Sequence, residues 1–344
     1  MTDHQKLRSL RRFVTQDDPV FQGKKKLKVR GRDLQTLATE VFYLTELQVL
    51  DLSPEREACL EYHVDDLPAE VGKLINLEVL MLDTNELYDL PVSLTRLRKL
   101  EKLSLSNNNI QVLPHGFDAL SSLTSLHLAN NRLEHFPLDL CSLARLKFLD
   151  VSSNQLTSLP PEVARLTSLH TLILFSNRLR ALPDSVTSMR ALRCLWLGNN
   201  MLTSLPRDIG RLNLSDWDNF GHHMFSTIIE GNPLTDPPLE VCRQGIRAIA
   251  QYFGAATSSA ASSGRHNDDD VTRDRYNNND AMTSRNRRDA DGGAQDAGSM
   301  AGWLERSGRN DGWRSRGSRG EGLRSMAEIM SPQRNGHNKH NSYR

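Results

Sequence analysis

The sequence predicts an α/β solenoid, in which short parallel strands stack into one sheet and compact return arms join them. Three observations predict it. One pattern recurs six times between Leu77 and Pro206 at an unbroken interval of 23 residues. Within each unit, apolar positions 4 and 6 alternate with other neighbours, which is the period of a short strand with one buried face. Each unit then carries an asparagine at position 9 and a proline at position 15. A single unit of this kind cannot hide its leucines, so neighbouring units must bury them.

The six units begin at Leu77, Leu100, Leu123, Leu146, Leu169 and Leu192. Their asparagines are Asn85, Asn108, Asn131, Asn154, Asn177 and Asn200, and Asn232 holds the same place in a later unit. The asparagine falls where the chain leaves the strand inside the stack, so its amide is expected to satisfy backbone groups that water cannot reach. Pro91, Pro114, Pro137, Pro160, Pro183 and Pro206 start the return arms, because proline fixes φ and donates to no ladder.

Residues 1–23 precede the array. Leu7, Leu10 and Val14 sit at helical spacing, so this segment reads as a helical cap over the first strand or as a flexible arm. A degenerate first unit starts at Lys24, with Arg32 at the asparagine position and Ala38 at the proline position. The second starts at Leu47 and is about seven residues too long near 54–60, an insertion expected to bulge as a loop. After Leu212 a second insertion, 213–223, carries Trp217 and Phe220, whose rings are expected to pack. A ninth unit follows with Met224, Ile229, Asn232 and Leu234. Ile246, Ile249 and Phe253 then share one helical face, the expected C-terminal cap helix. The repeat domain therefore spans 24–253. Residues 254–344 are rich in Ser, Gly, Asn, Asp and Arg and are expected to be a disordered tail, with Leu323, Met326 and Met330 as a possible second contact for a partner.

The unit Leu-x-x-Leu-x-Leu-x-x-Asn-x-Leu-x-x-Leu-Pro resembles the leucine-rich repeat of the intracellular Ras-group proteins, among them the Ras scaffold of the Shoc type and the repeat regions of erbin, densin and scribble. Glu230-Gly231-Asn232-Pro233-Leu234 and the stretch Gly245 to Tyr252 look like their terminal unit. The resemblance covers residues 24–253. It implies a horseshoe of about nine repeats with a parallel concave sheet that holds other proteins, often in signalling assemblies. It also implies a cytoplasmic protein, since no cysteine-rich caps of the extracellular kind accompany the four scattered cysteines.

The net charge of +1 argues against a field dominated by nucleic acid or membrane. No apolar leader opens the chain, and no nucleophile elbow, zinc-binding helix, kinase signature or phosphate loop occurs, so no catalysis, cofactor or metal is expected. Positions 3, 5, 7 and 8 of each strand face away from the leucines and are not required by the core. There Phe148, Asp150, Ile173, Phe175 and Trp196 gather on neighbouring strands, with Arg193 at the rim, which is the pattern of a protein-binding patch. The expected function is a scaffold or adaptor in signal transduction. Two alternatives remain: a regulatory or targeting subunit of a phosphatase or ubiquitin ligase, and RNA association through the Arg-rich tail.

Overall fold

The computed structural model describes residues 3–35, 37–54, 62–214, 217 and 228–262. The insertion near 54–60, most of 213–223 with Phe220, and Leu323, Met326 and Met330 of the tail lie outside the described residues. Eight three-residue strands run in chain order in one open parallel sheet: β1 (Lys26–Lys28), β2 (Val49–Asp51), β3 (Val79–Met81), β4 (Lys102–Ser104), β5 (Ser125–His127), β6 (Phe148–Asp150), β7 (Thr171–Ile173) and β8 (Cys194–Trp196). Register is strict, with Leu80, Leu103, Leu126, Leu149, Leu172 and Leu195 paired in line, so position 4 forms one continuous buried row. Each such leucine contributes about 2 kcal/mol, and only because the next unit covers it.

The return arms are single 3-10 turns, such as Val92–Arg96, Leu138–Ser142, Pro161–Arg165 and Asp184–Ser188. The proline before each holds extended backbone with φ from −72° to −66° and so aims the chain into the turn. Pro114 is the exception. There Gly116, at φ 77°, precedes a shorter turn, Phe117–Ala119, and Asp139 Oδ2 of the next unit accepts from the amides of Gly116 and Phe117 at 3.0 and 3.1 Å.

The asparagine ladder ties the units together. Asn131 Nδ2 donates to the carbonyls of Leu128 in its own unit, at 3.1 Å, and of Leu105 one unit back, at 2.9 Å, while its Oδ1 accepts from Ile110 N at 3.0 Å. Asn85, Asn108, Asn154, Asn177, Asn200 and Asn232 repeat the arrangement. Asn232 is the seventh asparagine of this ladder, and Leu197 N and Asn199 N reach the carbonyls of Ile228 and Glu230, each at 2.6 Å.

Position 8 is exposed or half-buried and takes a special backbone conformation. Thr84, Asn107, Asn130, Ser153, Ser176 and Asn199 all hold left-handed backbone, with φ between 51° and 60°. The strand must turn sharply just before the ladder asparagine, and Asn, Ser and Thr side chains hydrogen-bond locally to offset part of that strain. Asn130 Nδ2 donates to Asn107 Oδ1 at 2.9 Å, and Asn107 Nδ2 to Thr84 Oγ1 at 3.2 Å. On the last rung Gly231 takes the place at φ 75°, where a Cβ would also sit 3.0 Å from Asn199 Cα.

At the N-terminal end, helix α1 (Asp3–Leu10) buries Leu10 and lies against the turn Thr39–Tyr43, with Lys6 Nζ 2.8 Å from Glu40. Thr15 and Lys26 then exchange two 2.8 Å backbone bonds, covering part of the free edge of β1. A short helix, α2 (Arg32–Gln35), leaves β1. At the other end come α3 (Leu239–Cys242) and α4 (Ile246–Ser262), and α4 packs Ile246, Ile249 and Phe253 inward against the turn Arg207–Arg211. Helix α4 does not stop at Gly254. The helix continues through an alanine- and serine-rich stretch to Ser262, because alanine carries the best helix propensity.

Candidate binding face of the sheet

The strand face turned away from the leucines changes character along the array. Its first half is ionic. Lys26 Nζ lies 2.7 Å from Asp18, Lys28 Nζ 3.2 Å from Asp51, and Lys24 pairs with Glu78. Asp83 Oδ1 accepts from Ser104 Oγ at 2.7 Å and from Ser106 N at 2.8 Å, yet burial still pushes its carboxyl above the usual range. The adjacent Lys102 is lowered by burial, and Asp83 partly restores it.

The character shifts at β5. His127 is pushed down to about 4, first by burial and then by the charge of Lys102, so it is neutral near pH 7. Its Nε2 lies 2.9 Å from Ser125 Oγ, and its ring stacks on Phe148 with centroids 4.7 Å apart. From Phe148 onward the face carries Ile173, Phe175 and Trp196, and the position 5 row runs Asp150, Ile173, Trp196 and Ile228.

Not all of these side chains stand clear as the sequence suggests. Phe148, Asp150 and Phe175 are half-buried, but Ile173 is 5% and Trp196 7% exposed. Asp51 and Ser104 are also buried. Neighbours in the position 5 row lie one strand spacing apart, about 4.8 Å, so large side chains cover one another without entering the leucine core. Arg193 sits at the rim, one residue before β8, and its Nη1 donates to the carbonyls of Arg190 and Leu192 at 2.7 and 3.0 Å. It is thus held on the strand entrance.

Two features of this patch escaped the sequence. Trp196 Nε1 is a buried donor with no hydrogen-bond partner among the described residues. Trp217 packs as expected and is fully buried, but the sequence does not show that its Nε1 donates to Leu195 O at 2.9 Å, sealing part of the edge of β8. The two indoles lie close in sequence and differ only in what three-dimensional packing offers them. No periodic pattern announces that difference.

Elsewhere, half-buried His63 sets its Nε2 3.0 Å from Asp65 Oδ1 and 3.3 Å from Glu86 Oε2, both carboxylates being exposed. Among the described residues no helix is long and apolar enough to cross a membrane.

Comparison with known proteins agrees with the repeat. Residues 75–133 match a family model described as leucine rich repeat, and residues 129–215 one described as leucine-rich repeat region. No curated protein sequence matches the chain. Among solved structures, a leucine-rich repeat protein of Leptospira interrogans is 33% identical over 63% of this chain and 57% of its own, with a TM-score of 0.53; this chain therefore spans little more than half of that relative. The repeat ectodomain of a plant membrane receptor kinase from Arabidopsis thaliana, solved with a bound factor, is 26% identical over 54% of this chain and 25% of its own, with a TM-score of 0.44. Such repeat arrays present extended binding surfaces and generally mediate protein–protein interaction. Residues 75–215 thus match leucine-rich repeat models, and the eight stacked parallel strands have the leucine-rich repeat solenoid fold.

Proposed function

We propose that this chain is a non-enzymatic scaffold of the intracellular Ras-group kind, holding a protein ligand on the sheet face at β6 to β8. The observation that carries the reading is the switch of that face from paired charge to aromatic surface at the His127–Phe148 stack. Phe148 and Phe175 remain half-exposed there, and aromatic groups of this sort are the usual anchors of protein interfaces. Asp150 and the rim beside Arg193 supply polarity around them. A reducing compartment fits Cys141, Cys194 and Cys242, which are buried and form no disulfide among the described residues.

The test is affinity capture from the source cells with the full chain and with Phe148→Ala/Phe175→Ala. A captured protein that binds the double variant at least thirtyfold more weakly, while the melting temperature moves by only a few degrees, supports the reading. Equal capture by both baits sinks it.

A further inference from the structure

Where the chain re-enters the array after the insertion near 54–60, three metal-ligating side chains from two adjacent units converge. Counted back from the regular units, His63 holds position 10, and Glu86 holds the same position one unit of 23 residues later. Val64 is buried while its two neighbours are not, so His63 and Asp65 leave the backbone on the same outer side. Exposed Glu86 likewise stands between buried Asn85 and Leu87. The two segments are tied to each other, because Val64 N donates to Asn85 Oδ1 at 2.8 Å and Glu86 N to Val64 O at 3.3 Å. The ladder therefore fixes the backbone on both sides of the cluster. Its donor atoms all lie within 4.8 Å of one another, with His63 Nε2 3.0 Å from Asp65 Oδ1 and 3.3 Å from Glu86 Oε2. They are open to solvent, the three side chains being 25%, 81% and 58% exposed.

A single Nε2–H serves only one of the two carboxylates well, and even a charged imidazole leaves one of their two negative charges uncompensated. A divalent cation meets both needs. With ligand bonds of about 2.0–2.2 Å, neighbouring donors around a tetrahedral ion stand about 3.3 Å apart, close to both nitrogen–oxygen distances here. The wider gap between the carboxylates closes by turning the exposed Asp65 side chain. We propose that His63, Asp65 and Glu86 form a binding site for a divalent transition-metal ion of the zinc class, with water completing the coordination. The imidazole selects such an ion over calcium or magnesium, which prefer oxygen ligands. Bound there, the ion clamps the chain that follows the insertion onto the next unit. The later residues of the position 10 row, Asn109, Arg132, Gln155, Arg178 and Met201, bring no further imidazole or carboxylate, so the array offers this set once along that row. The site lies past the exit of β3 and stands or falls apart from the reading of the β6 to β8 face.

The experiment strips the full chain with a chelator and titrates it by calorimetry with zinc, calcium or magnesium chloride. His63→Ala, Asp65→Asn and Glu86→Gln are treated alike, and each protein is melted with and without zinc. The expected result is a zinc site of micromolar or tighter affinity that each substitution weakens at least about tenfold. Zinc should raise the melting temperature of the wild type and not of the variants, whose metal-free melts match the wild type. Should His63→Ala melt early without metal, the near-isosteric Asp65→Asn and Glu86→Gln, both on exposed side chains, decide the matter. Zinc held equally by the wild type and the variants sits elsewhere in the chain and overturns the proposal. Absence of zinc binding, or indifference to any one of the three substitutions, overturns it too. Calcium bound as tightly as zinc overturns the transition-metal assignment.

Discussion

The ring of His127 lies 4.7 Å from that of Phe148 across β5 and β6, and this contact is where the open sheet face passes from ionic to aromatic. A charged imidazole there would be desolvated and would feel Lys102 on the neighbouring strand β4, so the folded chain holds His127 neutral.

That neutrality has a pH signature. The folded pKa, about 4, lies below the ordinary 6.5, so between these values the unfolded chain binds a proton that the folded chain does not. The contribution of His127 is therefore fully present above pH 6.5 and is lost as pH falls toward 4, by on the order of 2–3 kcal/mol. Urea unfolding at pH 7 and pH 4.5 should show a smaller acid-induced loss for His127→Gln than for the wild type. Asp83 and Asp150, whose pKa values are raised, act in the opposite direction: their charged forms lower stability as pH rises above the carboxylate range.

Removing one rung of the ladder should cost more than removing one exposed asparagine. Asn131→Ala strands Ile110 N and removes a donor from the carbonyls of Leu105 and Leu128, an expected loss of about 2–4 kcal/mol in chemical unfolding. Asn131→Asp should fare no better, because a carboxylate accepts but cannot donate to those carbonyls.

The two buried tryptophans give an internal comparison. Replacing either with phenylalanine trims the same ring, but Trp217 loses its bond to Leu195 O whereas Trp196 loses only an orphaned donor. Thermal melts should therefore place Trp217→Phe about 1–2 kcal/mol below Trp196→Phe. Equal stabilities would mean that the Trp196 donor is satisfied in solution.

The docking of α4 depends on a small residue. A Cβ on Gly210 would stand 2.5 Å from Ala250 Cβ and 3.0 Å from Ala250 Cα, so Gly210→Ala must push the helix off the turn Arg207–Arg211. The expected cost is about 1–3 kcal/mol, and hydrogen exchange should rise first in α4.

How much of this was legible beforehand follows from what each residue answers to. The leucines, the ladder asparagines and the prolines answer to burial and to backbone groups that every rung presents alike, so a 23-residue period reveals them. Trp196 and Trp217 answer to singular surroundings, and the sequence offers the same letter for both. Composition alone reads the Ala/Ser stretch after Gly254 as tail, whereas a helix already nucleated at Ile246 extends through it to Ser262.

By itself the sequence determined the solenoid, the register of its strands, the asparagine ladder and the apolar face of the cap helix, since each repeats a requirement that a single unit cannot meet alone. Only the tertiary structure decided that position 8 turns left-handed, that Ile173 and Trp196 shelter within their own row, and that Trp196 Nε1 lacks a partner among the described residues. The physical reason is that those outcomes depend on side chains one rung away, 23 residues distant in the chain and about 4.8 Å away in space, whose identities follow no period.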